Sequence, residues 1–273
     1  MSDAKRDTVS RRVLVTGAAS GLGLALVRRF AAAGDRVLAT DLTPSQPLVE
    51  LVETDHVSYL PLDVRSDEQW TAAREWVASE WDGLDILVNN AGVAAGGRID
   101  LSTMDEWELA TQVNLLGVAR GCHTFAGLFK EQRSGYIVNV ASIAGLVHPP
   151  SMAAYNAVKA GVVALSETLG HELAPYGITS SVVCPSFFRT NLSASLRGHD
   201  TDTAKKMAKL VDDSPLSADD IAGAVLEGIG RLDELILPDE AARAAYDLKW
   251  TDRGAYDAQM RATAARAMER EQA

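Results

Sequence analysis

The sequence is poor in cysteine, and its two cysteines are far apart. Cys122 and Cys184 lack the CxxC or Cys/His spacing of a metal site, and a chain of 273 residues can bury a core without disulfides. We therefore expect both thiols to be reduced, as in the cytoplasm, and we expect no bound metal.

Positive charge and long apolar runs are also scarce. The formal net charge is −11 and no basic cluster stands out, which argues against nucleic acid or an anionic membrane as the main partner. No run of about 18 apolar residues is present, so no membrane-spanning helix is predicted. The polar segment 1–12 lacks the apolar stretch of a secretory signal. We expect a cytoplasmic protein.

Short apolar runs alternate with amphipathic segments along most of the chain. The apolar runs predict strands at 12–16, 37–40, 57–62, 86–88, 136–141, 178–183 and 235–237. Helices are predicted at 24–33 and at 152–175, the second with Ser151 as its N-cap. Capping residues predict three further helix starts, at Ser66 with Gln69, at Thr103 with Glu106 and at Ser217 with Asp220. The helix that starts at Thr103 is expected to continue through Asn114 towards Phe129.

This alternation predicts an α/β fold, with one doubly wound parallel sheet of about seven strands and helices on both faces. No linker divides the chain, so residues 1–273 are expected to form a single domain. The pattern loosens at 186–216, which we interpret as an insertion that forms a lid over a substrate. Residues 239–273 are predicted to be a charged helical tail, to which the sequence assigns no chemistry.

The first strand leads into a glycine-rich turn. Its sequence, Thr16-Gly17-Ala18-Ala19-Ser20-Gly21-Leu22-Gly23, has GxxxGxG spacing. Glycines let the backbone turn sharply and approach a pyrophosphate, which the amides of a helix N-terminus can hold. Three glycines alone fit a plain tight turn equally well. Their place between a strand and an apolar helix favours a dinucleotide site.

A carboxylate ends the second predicted strand, 18 residues past Gly23. Asp41 in that place can accept hydrogen bonds from the adenosine ribose hydroxyls and would repel a 2′-phosphate. The alternative is a surface aspartate that begins the turn before Pro44. No Arg or Lys follows Asp41 directly, and Ser20 stands where a basic residue could have met the 2′-phosphate. These residues favour NAD over NADP.

Further motifs follow the later strands in a fixed order. They are Asp63-Val64, Asn89-Asn90-Ala91-Gly92, Asn114, Ser142, Tyr155 with Lys159, and Pro185. With the TGxxxGxG turn, this order resembles the short-chain dehydrogenase/reductase family in its single-domain branch. The resemblance implies a Rossmann-like fold and an NAD(H)-dependent oxidoreductase that interconverts a secondary alcohol and its ketone.

The resemblance also implies cofactor contacts. Asp63 would meet the adenine, residues 89–92 would line the cofactor and steady the sheet, and Thr190 would hold the nicotinamide carboxamide. The full expected set is Gly17, Ser20, Gly21, Leu22, Gly23, Asp41, Leu42, Asp63, Val64, Asn90, Ala91, Gly92, Tyr155, Lys159, Pro185, Phe188 and Thr190. The sequence departs from the family in having Ser186, where glycine is usual, and in lacking Asp-Gly-Gly after the last strand.

Four residues are expected to carry the chemistry. Tyr155 and Lys159 are four apart on a predicted helix and share one face. A phenol titrates near ~10, and an adjacent ammonium is expected to lower that pKa by two to three units, about 3–4 kcal/mol. Ser142, at a strand end, would polarise the substrate oxygen. By the resemblance, Asn114 holds a water that relays protons to Lys159.

The substrate is expected to lie between Ser142 and Tyr155. Its further walls are predicted to be Val93, Ile143, His148, Ser186 and Phe187. Apolar side chains in the insertion favour a hydrophobic alcohol or ketone. A loop histidine without substrate contact is the alternative for His148, and Cys184 is interpreted as a small buried residue rather than a nucleophile.

Other functions compete with this hypothesis. An NADP-dependent carbonyl reductase differs only in the cofactor, and a dinucleotide-sensing regulator would bind without reacting. Sugar-nucleotide epimerases reuse the Tyr and Lys pair but usually have GxxGxxG spacing and a larger C-terminal domain, both missing here. Small residues along the helix at 152–173 favour a homodimer or homotetramer, although packing within one chain is the simpler alternative.

Overall fold

The computed structural model describes residues 10–54, 56–190 and 200–269. Seven strands form one sheet in the order β3-β2-β1-β4-β5-β6-β7, and each neighbouring pair is parallel. The strands are β1 (Arg12–Thr16), β2 (Arg36–Asp41), β3 (Val57–Pro61), β4 (Ile86–Asn89), β5 (Gly135–Val140), β6 (Ile178–Val183) and β7 (Leu235–Ile236). The doubly wound parallel sheet predicted from the sequence is confirmed.

Helices cover both faces of this sheet. They are α1 (Gly21–Ala32), α2 (Gln46–Val52), α3 (Asp67–Trp81), α4 (Met104–Thr111), α5 (Gly117–Gln132), α6 (Ala144–Val147), α7 (Ala153–Leu173), α8 (Thr201–Asp212), α9 (Ala218–Arg231), α10 (Glu240–Thr251) and α11 (Arg253–Glu269). One apolar cluster packs α1 and α9 on the sheet, and a second packs α3, α5 and α7 on the opposite face.

The strands form in these places because successive side chains are buried on opposite faces. In β1, Val13 and Val15 join one cluster and Leu14 joins the other. A strand covered on both sides needs a continuous apolar run rather than an alternating one, which is what the sequence contains. The strand order reverses between β1 and β4, so the loops after these strands diverge and open a crevice at the carboxyl edge of the sheet.

Some predicted helix ends are wrong. Ser151 does not cap α7, because its φ is 62° and Met152 takes the N-cap position. Ser66 accepts a hydrogen bond from the Gln69 amide at 3.2 Å, but the Gln69 side chain bonds the amide of Asp63 instead of completing a capping box. The predicted boxes at Thr103 and Ser217 are both formed.

Two longer segments also differ from expectation. The helix predicted to run through Asn114 is interrupted by a π-helical turn, Gln112–Leu116, between α4 and α5. The predicted insertion at 186–216 contains α8, and its residues 191–199 lie outside the described residues. The predicted helical tail comprises α10 and α11. Across the described ranges, no helix is long and apolar enough to cross a membrane.

Candidate active site

The turn after β1 holds backbone amides open to the crevice. Gly17 and Gly21 have φ of 65° and 53°, a region that side chains disfavour. A Cβ on Gly23 would lie 2.1 Å from the carbonyl oxygen of Gly17, so α1 approaches the turn too closely for any larger residue. Ser20 is the N-cap of α1 and its hydroxyl makes no cap bond. The first amides of α1 suit an anion.

Asparagine and threonine side chains fix this turn to the next strand loop. The Asn90 amide donates to the carbonyl of Thr16 at 2.9 Å and to that of Gly17 at 3.2 Å. The Thr16 hydroxyl accepts from the amides of Asn90 and Ala91, each at 3.0 Å. Asn89 donates to Asn139 of β5 at 2.9 Å, which ties the two central strands together.

Two carboxylates stand at the far end of the crevice in different environments. Asp41 accepts from the amides of Ala19 at 2.9 Å and Leu42 at 2.7 Å, so its orientation at the end of β2 is fixed by the backbone. Asp63 instead pairs with Arg65 at 2.6 Å, and this guanidinium lowers the pKa of the carboxyl. The adenine contact expected of Asp63 would therefore be made beside an ion pair.

The crevice is a cavity of about 400 Å³. Every residue of the predicted cofactor set lines it except Gly23, which is buried behind the turn. The lining residues that sequence reasoning missed are Leu62, Arg65, Leu109, Val113 and Val140. They are apolar except for Arg65. No short sequence motif identifies them, because they come together only when the strands and helices are folded.

Tyr155 and Lys159 face the crevice from α7, but the predicted effect of one on the other is wrong. Burial raises the pKa of Tyr155 to about 12, and a hydrogen bond from the Ser142 hydroxyl to the tyrosine oxygen offsets this only in part. The Lys159 ammonium donates to the carbonyl of Val140 at 2.9 Å and lies 5.8 Å from the centre of the Tyr155 ring. Burial lowers the pKa of Lys159 to about 8. The phenol is therefore protonated at neutral pH in the protein alone.

A second, apolar pocket of about 110 Å³ adjoins the crevice. Tyr155 lines both cavities, and Ser142 lines the apolar one. The Ser142 hydroxyl accepts from the Ala144 amide at 3.2 Å, which fixes it at the start of α6. The pocket is also lined by Ala94, Ala95, Gly96, Ile143, Ala144, Pro149, Met152, Pro185, Ser186, Phe187, Phe188, Thr190, Met207 and Val211.

Asn114 is buried at the π-helical turn, and its side chain is already engaged. Its Oδ1 accepts from the Val93 amide at 2.9 Å and its Nδ2 donates to the Val93 carbonyl at 3.0 Å. A Cβ on Gly92 would lie 3.0 Å from Asn114 Oδ1 and 3.8 Å from Lys159 Nζ, so the three residues are close together. Each of these two atoms has one further hydrogen-bonding position that these contacts do not use.

The structure brings only part of the predicted substrate set to the apolar pocket. Ile143, Ser186 and Phe187 line it, whereas Val93 lines the larger crevice. The Ser186 hydroxyl is turned away and donates to Asp239 at 2.6 Å. This bond explains how serine replaces the usual glycine, since Asp239 at the start of α10 also accepts from the Ser186 amide.

His148 lines neither cavity. Its Nε2 lies 3.1 Å from the carbonyl of Gly145, and its Nδ1 lies 2.9 Å from the Lys249 ammonium of α10. The prediction missed Met152 and Val211 on the pocket wall. Met152 stands one helical turn before Tyr155, a spacing that could have identified it, while Val211 depended on recognising α8.

Known proteins are similar to this chain in sequence and in fold. The family model described as short chain dehydrogenase matches residues 11–201. The 2-(R)-hydroxypropyl-CoM dehydrogenase of Xanthobacter autotrophicus is 34% identical over 194 residues, 68% of this chain and 77% of that protein. A 3-alpha-(or 20-beta)-hydroxysteroid dehydrogenase of Mycobacterium bovis is 33% identical over 186 residues, 68% of this chain and 72% of that protein.

A solved structure agrees over more of the chain. The crystal structure of a short-chain dehydrogenase/reductase from Burkholderia phymatum in complex with NAD has a TM-score of 0.83 at 30% identity, covering 89% of this chain and 94% of that one. The fold, the ordered motifs and these matches define the class together. The chain belongs to the short-chain dehydrogenase/reductase family of oxidoreductases.

Proposed function

We propose that this protein is an NAD(H)-dependent oxidoreductase that interconverts a hydrophobic secondary alcohol and its ketone. The observation that carries the proposal is the position of Tyr155, whose side chain lines both the crevice and the apolar pocket. A group in that place can exchange a proton with a substrate in the pocket while facing a cofactor in the crevice.

The residues present fit a nicotinamide dinucleotide. The first turn of α1, which has no side-chain cap and which Gly23 allows to approach the turn after β1 closely, suits its pyrophosphate. The fixed carboxylate of Asp41 suits its ribose. When bound, the nicotinamide supplies or accepts the hydride. Thr190, which lines both cavities, is proposed to hold the carboxamide.

The protein's own groups move the proton. Tyr155, a phenol at neutral pH, donates its proton to the carbonyl oxygen as the ketone is reduced, and takes it back as an alcohol is oxidised. The Ser142 hydroxyl donates to the same oxygen and stabilises its developing negative charge. Lys159 stands one helical turn away with its ammonium on the Val140 carbonyl, in the crevice proposed to hold the dinucleotide.

NAD rather than NADP is proposed because of Asp41. Among the described lining residues of the crevice, the basic side chains are Arg65, paired with Asp63, and Lys159 at the other end. A 2′-phosphate would thus meet a carboxylate with no unpaired cation beside it.

We expect wild type to prefer NAD over NADP by about 100-fold in kcat/KM, and Asp41→Ala to reduce that ratio by at least about tenfold, since like-charge contacts cost several kcal/mol. Steady-state kinetics with both dinucleotides measure the ratio. Glu50→Gln, an exposed carboxylate on α2, is the control and should leave it unchanged. A wild-type preference for NADP would contradict the cofactor assignment.

The pocket wall supports the proposed hydrophobic substrate, because it is formed by side chains such as Met152, Phe187, Met207 and Val211. The relative from Mycobacterium bovis carries a hydroxysteroid dehydrogenase name, which is consistent with an apolar substrate. A further cavity of about 500 Å³ shares Met152, Phe187 and Met207 with this pocket, and its other walls include charged residues such as Asp200 and Lys206.

A screen of methyl ketones by NADH absorbance tests the proposed reaction. Each buried methylene contributes about 0.8 kcal/mol, so kcat/KM should rise roughly 100-fold from 2-butanone to 2-octanone. Pyruvate, a charged ketone of similar length to butanone, is the control and should react poorly. A flat series, or a preference for pyruvate, would argue against a hydrophobic substrate.

The dinucleotide-sensing alternative is disfavoured because Asn114, Ser142, Tyr155 and Lys159 are all retained. A homodimer or homotetramer is proposed through the outer face of α7, where Ala157 and Ala164 are exposed. Gly161 instead packs against Leu115 of the same chain.

Both cysteines are free and buried. A cytoplasmic location stays a prediction.

A further inference from the structure

The last two helices reach back to the segment that leads from β5 to α7. Lys249 of α10 donates to the carbonyl of Leu146 and lies 2.9 Å from Nδ1 of His148. Tyr256 of α11 is buried and donates its hydroxyl to the carbonyl of Val147. We call Lys249 and Tyr256 the C-terminal clamp. Both lie beyond residue 201, where the match to the family model ends.

The clamp selects one form of His148. Because the Lys249 ammonium has only protons to donate, Nδ1 must be the acceptor. Nε2 must then carry the proton and donate it to the carbonyl of Gly145 at 3.1 Å. Both contacts are satisfied by the same neutral tautomer. The backbone of His148 is left-handed, with φ of 55°, a region that residues other than glycine seldom adopt.

The clamped segment is in direct contact with the catalytic groups. The carbonyls that it binds belong to α6, whose Ala144 amide donates to the Ser142 hydroxyl at 3.2 Å. A Cβ on Gly145 would lie 2.6 Å from the carbonyl oxygen of Lys159, so α6 packs against the backbone turn of α7 that carries this lysine. A displacement of α6 would therefore move Ser142 relative to Tyr155.

We propose that Lys249 and Tyr256 are positioning residues, which hold α6 and thereby keep the Ser142 hydroxyl beside Tyr155. The catalytic consequence rests on the proposed alcohol–ketone reaction, whereas the mechanical one, an immobile α6, does not.

The clamp also depends on pH. The charged groups facing His148 are Lys249 and Arg253, and Arg253 is paired with Asp257 at 2.9 Å. Burial and these two cations lower the pKa of His148 from 6.5, against the smaller effect of the Gly145 carbonyl. An imidazolium would point an N–H at the ammonium. The contact is therefore complete above pH 6.5 and is lost as the pH falls through the lowered pKa.

The test compares Lys249→Met and Tyr256→Phe with the wild type. Amide hydrogen exchange of residues 143–148 should become about tenfold faster in each variant, because a local opening loses one of its restraints. In the same variants, kcat for ketone reduction should fall about tenfold, while KM for the dinucleotide changes by less than about twofold. Arg243→Met, an exposed cation on α10 that bonds the Leu237 carbonyl, is the control and should change none of these values.

The pH profile separates positioning from a purely structural role. The wild type should lose kcat below pH 6.5 as His148 takes up a proton. His148→Asn, a residue that tolerates the left-handed backbone, should lack this acidic limb. Lys249→Met should also lack this limb, because the contact that protonation of His148 would break is already absent.

Unchanged exchange at 143–148 in both clamp variants would overturn the proposal whether or not a substrate is known. Faster exchange with an unchanged kcat would overturn the positioning role. If no ketone is reduced by the wild type, the proposed reaction fails, but the exchange experiment still decides whether the clamp exists.

Discussion

Tyr155→Phe is expected to lower kcat for ketone reduction and alcohol oxidation by about 10²–10⁴-fold, the usual contribution of a positioned acid or base. The phenyl ring fills the same buried space, so the fold and both cavities should be kept. The variant loses only the hydroxyl that lies between the crevice and the apolar pocket. Stopped-flow or steady-state NADH absorbance measures the rate, and NADH fluorescence measures binding.

Tyr136→Phe is the matched control for this substitution. Tyr136 is also buried, and its hydroxyl bonds Ser181 at 2.6 Å on the sheet, away from the crevice. It should lose about 1 kcal/mol of stability and keep its activity. NADH affinity should be unchanged in both variants within about threefold. Activity of Tyr155→Phe within tenfold of the wild type would remove the tyrosine from the reaction.

Lys159→Met is expected to abolish turnover and yet to stabilise the folded protein at pH 7. Lys159 is 4% exposed and its pKa is lowered from 10.5 to about 8. Between these two values the unfolded chain binds a proton that the folded chain does not, so the free energy of unfolding rises with pH across that window. Below pH 8 the buried ammonium costs about 3 kcal/mol.

Removing the ammonium relieves that cost, whereas leaving the Val140 carbonyl without its hydrogen bond lowers the free energy of unfolding by about 1 kcal/mol. The net gain at pH 7 should be about 2 kcal/mol by urea unfolding, and it should shrink as the pH approaches 10.5. Lys209→Met on the exposed face of α8 is the control and should stay within about 0.5 kcal/mol of wild type. A less stable Lys159→Met, or a difference that is independent of pH, would contradict the buried-charge explanation.

The sheet could be predicted because its signal is local. The apolar runs at Val13–Val15 and Tyr136–Val138 are continuous in the sequence, and burial on both faces favours such runs. The catalytic placement was predictable for the same reason, since Tyr155 and Lys159 share a helix face by spacing alone.

The electrostatics and the long-range contacts could not be predicted in this way. Spacing placed the Lys159 ammonium near the phenol, but its direction towards the Val140 carbonyl depends on how α7 packs against β5. The partners of His148 and Ser186, Lys249 and Asp239, are distant in sequence and belong to helices without a motif.

Helix α8 is a different case, because a signal was present. Asp200 caps it by accepting from the Thr203 amide at 3.0 Å, and Met207, Leu210 and Val211 have the spacing of one helix face. The hydrophobic pattern is irregular on either side of α8, so the helix was not predicted. For the same reason the contribution of Val211 to the apolar pocket was not predicted.

Transfer of deuterium from NADH labelled at C4 of the nicotinamide to 2-octanone tests the central claim most directly. Mass spectrometry of the product should find one deuterium on the carbon that bears the new hydroxyl for the wild type, and the labelled alcohol should form at least about 100-fold more slowly with Tyr155→Phe. Tight NADH binding with no labelled alcohol from any ketone of the series would contradict the account and favour a protein that senses the dinucleotide without reacting.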